Sequence, residues 1–204
     1  MALIDRQMRL FIATDPPEEA RQVLAATICD LEQAIPNGVR WVQPHRIHLT
    51  VKFLGNVPAT MVDDLLAAMQ QAASDFQDGR FNLSLSKLGV FPDRIRPRVL
   101  WAGVQGDLGS LENLHRAVDR GVSRLGFSLD RGPFRPHFTL GRPRNAVSKP
   151  GLGVIGDTIA GWPSLPPVTW EVDSVHLMHS VAEPGRIEYI LLGSSSLRRF
   201  DADG

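Results

Sequence analysis

The sequence predicts an α+β fold, on three observations. Strand-like and helix-like segments are interspersed along the chain. Strand candidates fall in adjacent pairs suited to antiparallel hairpins rather than parallel crossovers. One short histidine motif occurs twice, in opposite halves, which suggests two similar lobes around a shared cleft. With 204 residues, 43% of them hydrophobic and 22% charged, the chain suits a single domain over 1–204, made of two intertwined lobes and long enough to bury a core.

Residues 9–13 read as a strand. Asp15-Pro16-Pro17-Glu18-Glu19 then supplies a turn and acids suited to a helix N-terminus, so a helix is expected over 18–34. Strands follow over 39–42 and 47–54, the second alternating as Ile-His-Leu-Thr-Val-Lys-Phe. Val62, Leu65, Leu66 and Met69 recur at helical spacing within 59–76. Residues 81–88 alternate as a half-buried strand, 91–97 form a Pro- and Arg-rich loop, and 98–104 form another strand. Leu111, Leu114, Val118, Val122 and Leu125 mark a helix over 108–125. A strand over 136–141 precedes a Gly/Pro-rich stretch, 142–167, that carries no assignment. Two closing strands, 169–180 and 186–194, flank the turn signal Glu183-Pro184-Gly185.

The 22 Lys and Arg balance 22 Asp and Glu. Zero net charge argues against a protein that coats long nucleic acid, which needs many uncompensated cations, but it leaves room for a small local anion site. Lys52, Lys87 and Lys149 are the only lysines, so 19 of the 22 cations are arginine. Genome composition is the bland explanation for that bias; arginine is also the side chain that grips phosphate in a planar, bidentate manner. Apolar runs such as 10–13 and 189–192 fall far short of the roughly 18 residues of a membrane span, and residues 1–7 do not read as a signal peptide. Cys29 is the sole cysteine, which excludes an intramolecular disulfide and suggests a reducing cytoplasm.

Pro44-His45-Arg46-Ile47-His48-Leu49-Thr50-Val51 aligns with Pro133-Phe134-Arg135-Pro136-His137-Phe138-Thr139-Leu140. Pro, Arg, His and Thr coincide, and an aliphatic residue closes both. On a strand, alternate side chains share a face, so His48 projects with Thr50 and His137 with Thr139. Six histidines and seven threonines give about 0.2 His-x-Thr occurrences by chance, and two are present.

Such a pair suits the opening of a strained cyclic phosphodiester. One imidazole takes a proton from water and the other protonates the departing ribose oxygen, while the threonine hydroxyls donate to the non-bridging phosphoryl oxygens. No metal and no cofactor are required. Arg135 and Arg142 flank the second motif, and Arg46 and Lys52 the first, as cations for one phosphate.

At these residues the chain resembles the two-histidine phosphoesterase superfamily, and within it the RNA 2′,3′-cyclic phosphodiesterases, also known as 2′-5′ RNA ligases. The likeness extends through Arg9-Leu10-Phe11-Ile12-Ala13, His48-Leu49-Thr50-Val51-Lys52-Phe53-Leu54-Gly55, Arg98-Val99-Leu100-Trp101-Ala102-Gly103 and the second motif with Arg142 beyond it. The resemblance implies a bilobal pseudo-twofold fold with two mostly antiparallel sheets, outer helices and a central cleft. It implies hydrolysis of an RNA 2′,3′-cyclic phosphate to a 2′-phosphate and a 3′-hydroxyl, with His48 as proton donor and His137 as proton acceptor. Reversal, as ATP-independent ligation, would use the same two groups. The expected partners are RNA 3′ ends or small cyclic phosphodiesters, met by a monomer with no membrane and no protein partner.

Other features carry blander readings. Phe11 is a core candidate that also qualifies as a substrate contact lining the cleft beside a base; Phe91 and Trp101 invite the same idea. Arg94, Arg96 and Arg98 are a second choice for holding RNA beyond the cyclic end. His45 and His48 are expected on opposite faces of a strand, which disfavours a metal pair. His115 reads as helix surface, His176 and His179 as part of the final hairpin, and Cys29 as a small buried residue. The rival functions are a non-catalytic RNA-end or nucleotide-binding module on the same scaffold, and a metal hydrolase, for which the chain lacks a dense ligand cluster.

Overall fold

The structure is a computed structural model describing residues 6–183 and 186–199. Its strands are β1 (Gln7–Thr14), β2 (Val39–Trp41), β3 (Leu49–Pro58), β4 (Phe81–Phe91), β5 (Val99–Gly106), β6 (His137–Pro143), β7 (Thr169–Val172), β8 (Ser174–Glu183) and β9 (Arg186–Ser196). The helices are α1 (Glu18–Ala34), α2 (Val62–Asp75), α3 (Leu108–Ser123) and α4 (Lys149–Ala160). The acids Glu18 and Glu19 stand in the first turn of α1, where the helix dipole favours them. Leu111, Leu114, Val118 and Val122 form the buried stripe of α3.

The expected mostly antiparallel sheets are present, but they join into one nine-stranded sheet ordered β7-β4-β5-β6-β3-β1-β8-β9, with β2 on β6. The two four-strand halves meet at β3 and β6, whose single register pair is Leu49 with Phe138. A single seam is what two lobes with equivalent central strands produce when those strands are themselves neighbours. β2 then covers the rest of β6.

The expected strand over 169–180 is two strands. Thr169–Val172 pairs with β4 at one end of the sheet, and Ser174–Glu183 pairs with β1 near the other. Only Asp173 separates them, so the sheet curls until its ends approach. Its carbonyl accepts from Leu197 N at 2.7 Å, and Arg198 O accepts from Arg80 N at 3.0 Å, which ties the end of β9 to the start of β4. The alternation changes phase at Asp173-Ser174, from buried Trp170 and Val172 to buried Val175 and Leu177, a one-residue shift that an expected single strand passes over. The Glu183-Pro184-Gly185 turn lies partly outside the described residues, as do residues 1–5.

The unassigned stretch contains α4. Ser148 caps it, accepting from Gly151 N, and Ile155 and Ile159 bury its apolar side. Three glycines and a proline depress its helix propensity, yet Gly156 is needed. A Cβ there would stand 2.0 Å from Arg94 O, because α4 packs against the loop before β5. No described helix is long and apolar enough to cross a membrane.

Candidate active site

The seam between the halves brings the two motifs together. Leu49 and Phe138 pair directly, and carrying that antiparallel register one residue either way sets His48 beside Thr139 and Thr50 beside His137. Side chains opposite one another share a face of the sheet, so all four lie on one surface. Leu49, Phe138 and Leu140 alternate with them and are buried behind it.

Two β-bulges decide what else reaches that surface. Ala13 pairs with Thr50 and Ile12 with Lys52, leaving Val51 as an extra residue. Trp101 pairs with Thr139 and Leu100 with Gly141, leaving Leu140 extra in the same way. A bulge reverses the alternation beyond it. In β6 this turns Arg142, five residues after His137, onto the face of His137 and Thr139. In β3 it sends Lys52 to the back.

Lys52 is therefore not one of the cations expected around a phosphate. The residue is 3% exposed; its Nζ ion-pairs with Asp119 at 2.5 Å and Asp130 at 2.7 Å, and donates to Ser128 O at 2.9 Å. Burial alone would lower its pKa, but the hydrogen bonds to Asp119 and then Asp130 outweigh that and raise it. His115, expected on a helix surface, is buried in the same region. Its Nδ1 meets Val51 O at 2.8 Å, and its ring stacks on Phe134 with centroids 4.3 Å apart and planes 4° from parallel. Together these contacts hold the segment leading into His137 against β3 and α3.

Each catalytic candidate is oriented by its own backbone. His48 Nδ1 lies 2.8 Å from Arg46 O, and His137 Nδ1 lies 2.7 Å from Arg135 O. A carbonyl only accepts, so Nδ1 carries the proton in both rings, and Nε2 is left to take or give one. Aromatic walls fix the ring planes. Phe11 stacks on His48 at 4.6 Å, and Tyr189 meets the His48 and Phe11 rings edge-on at 5.0 and 5.1 Å. Around His137, Phe91 stands edge-on at 5.0 Å and Trp101 at 6.4 Å. The indole lies across Gly89, where a Cβ would be 2.2 Å from it, so the glycine makes room for that wall.

Burial lowers the pKa of His48, opposed by the hydrogen bond to Arg46 O and the charge of Asp15, and the nearby His137 and Arg21 charges lower it further. His137 is lowered by burial and by Arg142, against the hydrogen bond to Arg135 O. His48 thus senses the charge of His137, and His137 that of Arg142. Burial raises the pKa of the Tyr189 phenol, while the charges of Arg46, Arg142 and Arg9 act to lower it. Three guanidinium groups therefore bear on one hydroxyl beside the histidines, an arrangement that favours an anion.

Of the remaining sequence candidates, Thr50 and Thr139 are partly exposed on the shared face. Arg135 is exposed, with its guanidinium 5.8 Å over the Phe91 ring. Phe11 is only 4% exposed, so its ring backs His48 rather than standing open as a platform. Arg46 donates to Ile187 O, linking the first motif to the β8–β9 hairpin. Arg94, Arg96 and Arg98 are exposed in a loop whose Asp93 accepts from Ile95 N and Arg96 N at 2.9 Å. His45 occupies a 3-10 turn, Pro44–Arg46, rather than a strand. Cys29 is exposed on α1 instead of buried, because it falls one residue past Ile28 and off the buried stripe. Among the described residues, no three His, Cys, Asp or Glu side chains form a metal-ligating group.

Two contributors escape sequence reasoning. Tyr189 is the chain's only tyrosine, 141 positions from the ring it touches, and nothing local marks it. Arg21 on α1 donates to Pro44 O at 2.9 Å, Ile47 O at 3.1 Å and Pro16 O at 3.3 Å, clamping the turn that delivers His48. Concavities between α1 and α4, and between α2 and α3, are lined by neither histidine; the chemistry-bearing surface is the open face of the sheet.

The chain is similar to known proteins along most of its length. The sequence model of the LigT-like phosphoesterases matches residues 15–101 and 105–189, one span for each histidine motif. A protein of Thermus thermophilus named RNA 2′,3′-cyclic phosphodiesterase is 31% identical over 200 residues, covering 94% of this chain and 91% of its own length. One of the same name from Geobacillus stearothermophilus is 36% identical over 137 residues, 67% of this chain and 42% of that protein's length. Among solved structures, one from Thermus thermophilus superposes with a TM-score of 0.73 at 31% identity, covering 94% of this chain and 98% of that one. Escherichia coli LigT complexed with 3′-AMP also gives 0.73, at 26% identity, with 95% and 100% covered.

Proposed function

This chain belongs to the LigT-like phosphoesterase family, and from that premise we propose that it hydrolyses the 2′,3′-cyclic phosphate at an RNA 3′ end to a 2′-phosphate and a 3′-hydroxyl. The observation that carries the reading is the pair of His-x-Thr motifs meeting at one seam, each imidazole held with its Nδ1 proton on a backbone carbonyl.

His137 Nε2 takes a proton from water as its oxygen attacks phosphorus. The bond from phosphorus to the 3′ oxygen breaks, and protonated His48 gives its Nε2 proton to that oxygen. The step is a general base and general acid pair working from opposite sides of the phosphorus. Thr50 and Thr139 donate to the non-bridging oxygens, and Arg142 supplies positive charge as negative charge concentrates there. The bulge at Leu140 turns Arg142 to this face, and its proximity also helps keep His137 neutral and ready to accept. Phe11 and Tyr189 hold the acid; Phe91 and Trp101 hold the base. No step calls on a metal. A 5′-hydroxyl in place of water is joined to the cyclic phosphate end by the same step without ATP: His137 takes the hydroxyl proton as its oxygen attacks phosphorus, the bond to the 3′ oxygen breaks, and His48 protonates that oxygen, leaving a 2′-5′ linkage. The reading includes a monomer in a reducing cytoplasm, the compartment being in keeping with the lone Cys29.

Product analysis tests the reading. Nucleoside 2′,3′-cyclic phosphates and a cyclic-ended RNA are expected to yield 2′-phosphates, equally with and without EDTA, and 3′,5′-cyclic nucleotides to remain intact. Tight, stoichiometric binding of the same ligands with no product would support the binding-module alternative instead.

A further inference from the structure

The catalytic face continues past the histidines into a strip of which the hydrolysis uses only Phe11 and Tyr189. Phe11 pairs with Phe53 on β3 and with Met178 on β8, and Met178 pairs with Leu191 on β9. Paired residues share a face, and Phe11 stacks on His48, so this row faces the site. Its two ends are open: Phe53 is 67% exposed and Leu191 55%. In the neighbouring row Arg9 pairs with Ser180, and Ser180 with Tyr189, while the charge of Arg9 reaches the Tyr189 hydroxyl.

The duplicated motif gives Phe53 a counterpart. It stands five residues after His48, as Arg142 stands five after His137, and the bulges at Val51 and Leu140 turn both onto the cleft face. One lobe therefore offers a guanidinium at that position and the other an aromatic ring. Four strand steps separate Phe53 from His48 once the bulge has absorbed one residue, about 13 Å. That lies beyond the nucleoside carrying the reacting phosphate and in line with its 5′ neighbour. A solvent-facing ring beside a cation is the pairing by which single-stranded RNA is held without sequence readout.

We propose that Phe53 and Arg9 form a subsite for the second nucleotide of the RNA. The base next to the cyclic end stacks on Phe53, and the phosphate joining the two nucleotides pairs with Arg9. The subsite rests on the reading of the histidine site as the place of the cyclic end. It makes RNA ends, rather than free cyclic mononucleotides, the better substrates.

Calorimetric binding of a dinucleotide 3′-phosphate and a mononucleoside 3′-phosphate tests this without requiring turnover. The protein is expected to favour the dinucleotide about tenfold. F53A removes most of that preference and leaves mononucleotide affinity within about twofold, while F53W restores it. R9Q weakens the dinucleotide at low salt, with a smaller loss at high salt where the ionic contact is already screened. Equal affinity for both ligands in the unmodified protein, or equal weakening of both by F53A, overturns the subsite. A parallel assay of a cyclic-ended dinucleotide separates the two readings: dinucleotide preference without hydrolysis keeps the subsite and removes the catalytic assignment.

Discussion

Val51 and Leu140, 89 positions apart, are the same β-bulge in two halves of one sheet. Each follows a His-x-Thr and reverses the alternation just beyond it. The reversal buries Lys52 and turns Arg142 toward the histidines. A regular strand would have put His48, Thr50 and Lys52 on one face, and Arg142 on the face away from His137.

Arg142→Gln is expected to lower kcat/KM for a nucleoside 2′,3′-cyclic phosphate by roughly a hundredfold, in the range of losing one charge-stabilising donor. It also removes a positive charge that disfavours protonation of His137, so the His137 pKa rises toward its ordinary value. Histidine titration by NMR reads that shift. An unchanged His137 titration would place Arg142 away from the imidazole.

Lys52→Met leaves Asp119 and Asp130 without their shared cation. Breaking a buried ion pair by removing one partner costs about 3–5 kcal/mol, and partial exposure of Asp130 puts the expected loss near the lower figure. Urea unfolding measures it. A loss under about 1 kcal/mol would mean the carboxylates rehydrate freely and the cluster does not anchor the segment before His137.

Stability is expected to fall as the pH drops below about 6.5. Unfolded imidazoles take up protons near that value, whereas burial holds His48, His137 and His179 to lower pKa values. The unfolded chain then binds more protons in that window, so acid favours it. Urea midpoints at pH 7.5 and 5.5, in buffer without phosphate, should differ in that direction. A flat profile contradicts histidine pKa values lowered by burial.

The motif, its pairing across a cleft and the order of most elements were legible because they rest on local patterns: alternation, helical spacing and a repeated octapeptide. The bulges were not, since an extra residue in a strand leaves no mark on hydrophobic alternation when the extra residue is itself apolar, as at Val51 and Leu140. The split at Asp173 leaves only a one-residue change of phase in the sequence, from Trp170 and Val172 to Val175 and Leu177, too slight to separate two strands that lie end to end in the chain. Helix α4 was masked by its three glycines, of which Gly156 makes room for the backbone of Arg94. Tyr189 and Arg21 reach the site only through folding, so no spacing rule could bring them to it.

The most direct measurement is turnover of a nucleoside 2′,3′-cyclic phosphate by His48→Ala and His137→Ala, with circular dichroism confirming that each variant is folded. If one imidazole gives a proton while the other takes one, either substitution alone lowers kcat by a factor of about 100 or more and leaves substrate affinity within a few fold. Undiminished kcat in either folded variant would contradict the two-histidine mechanism.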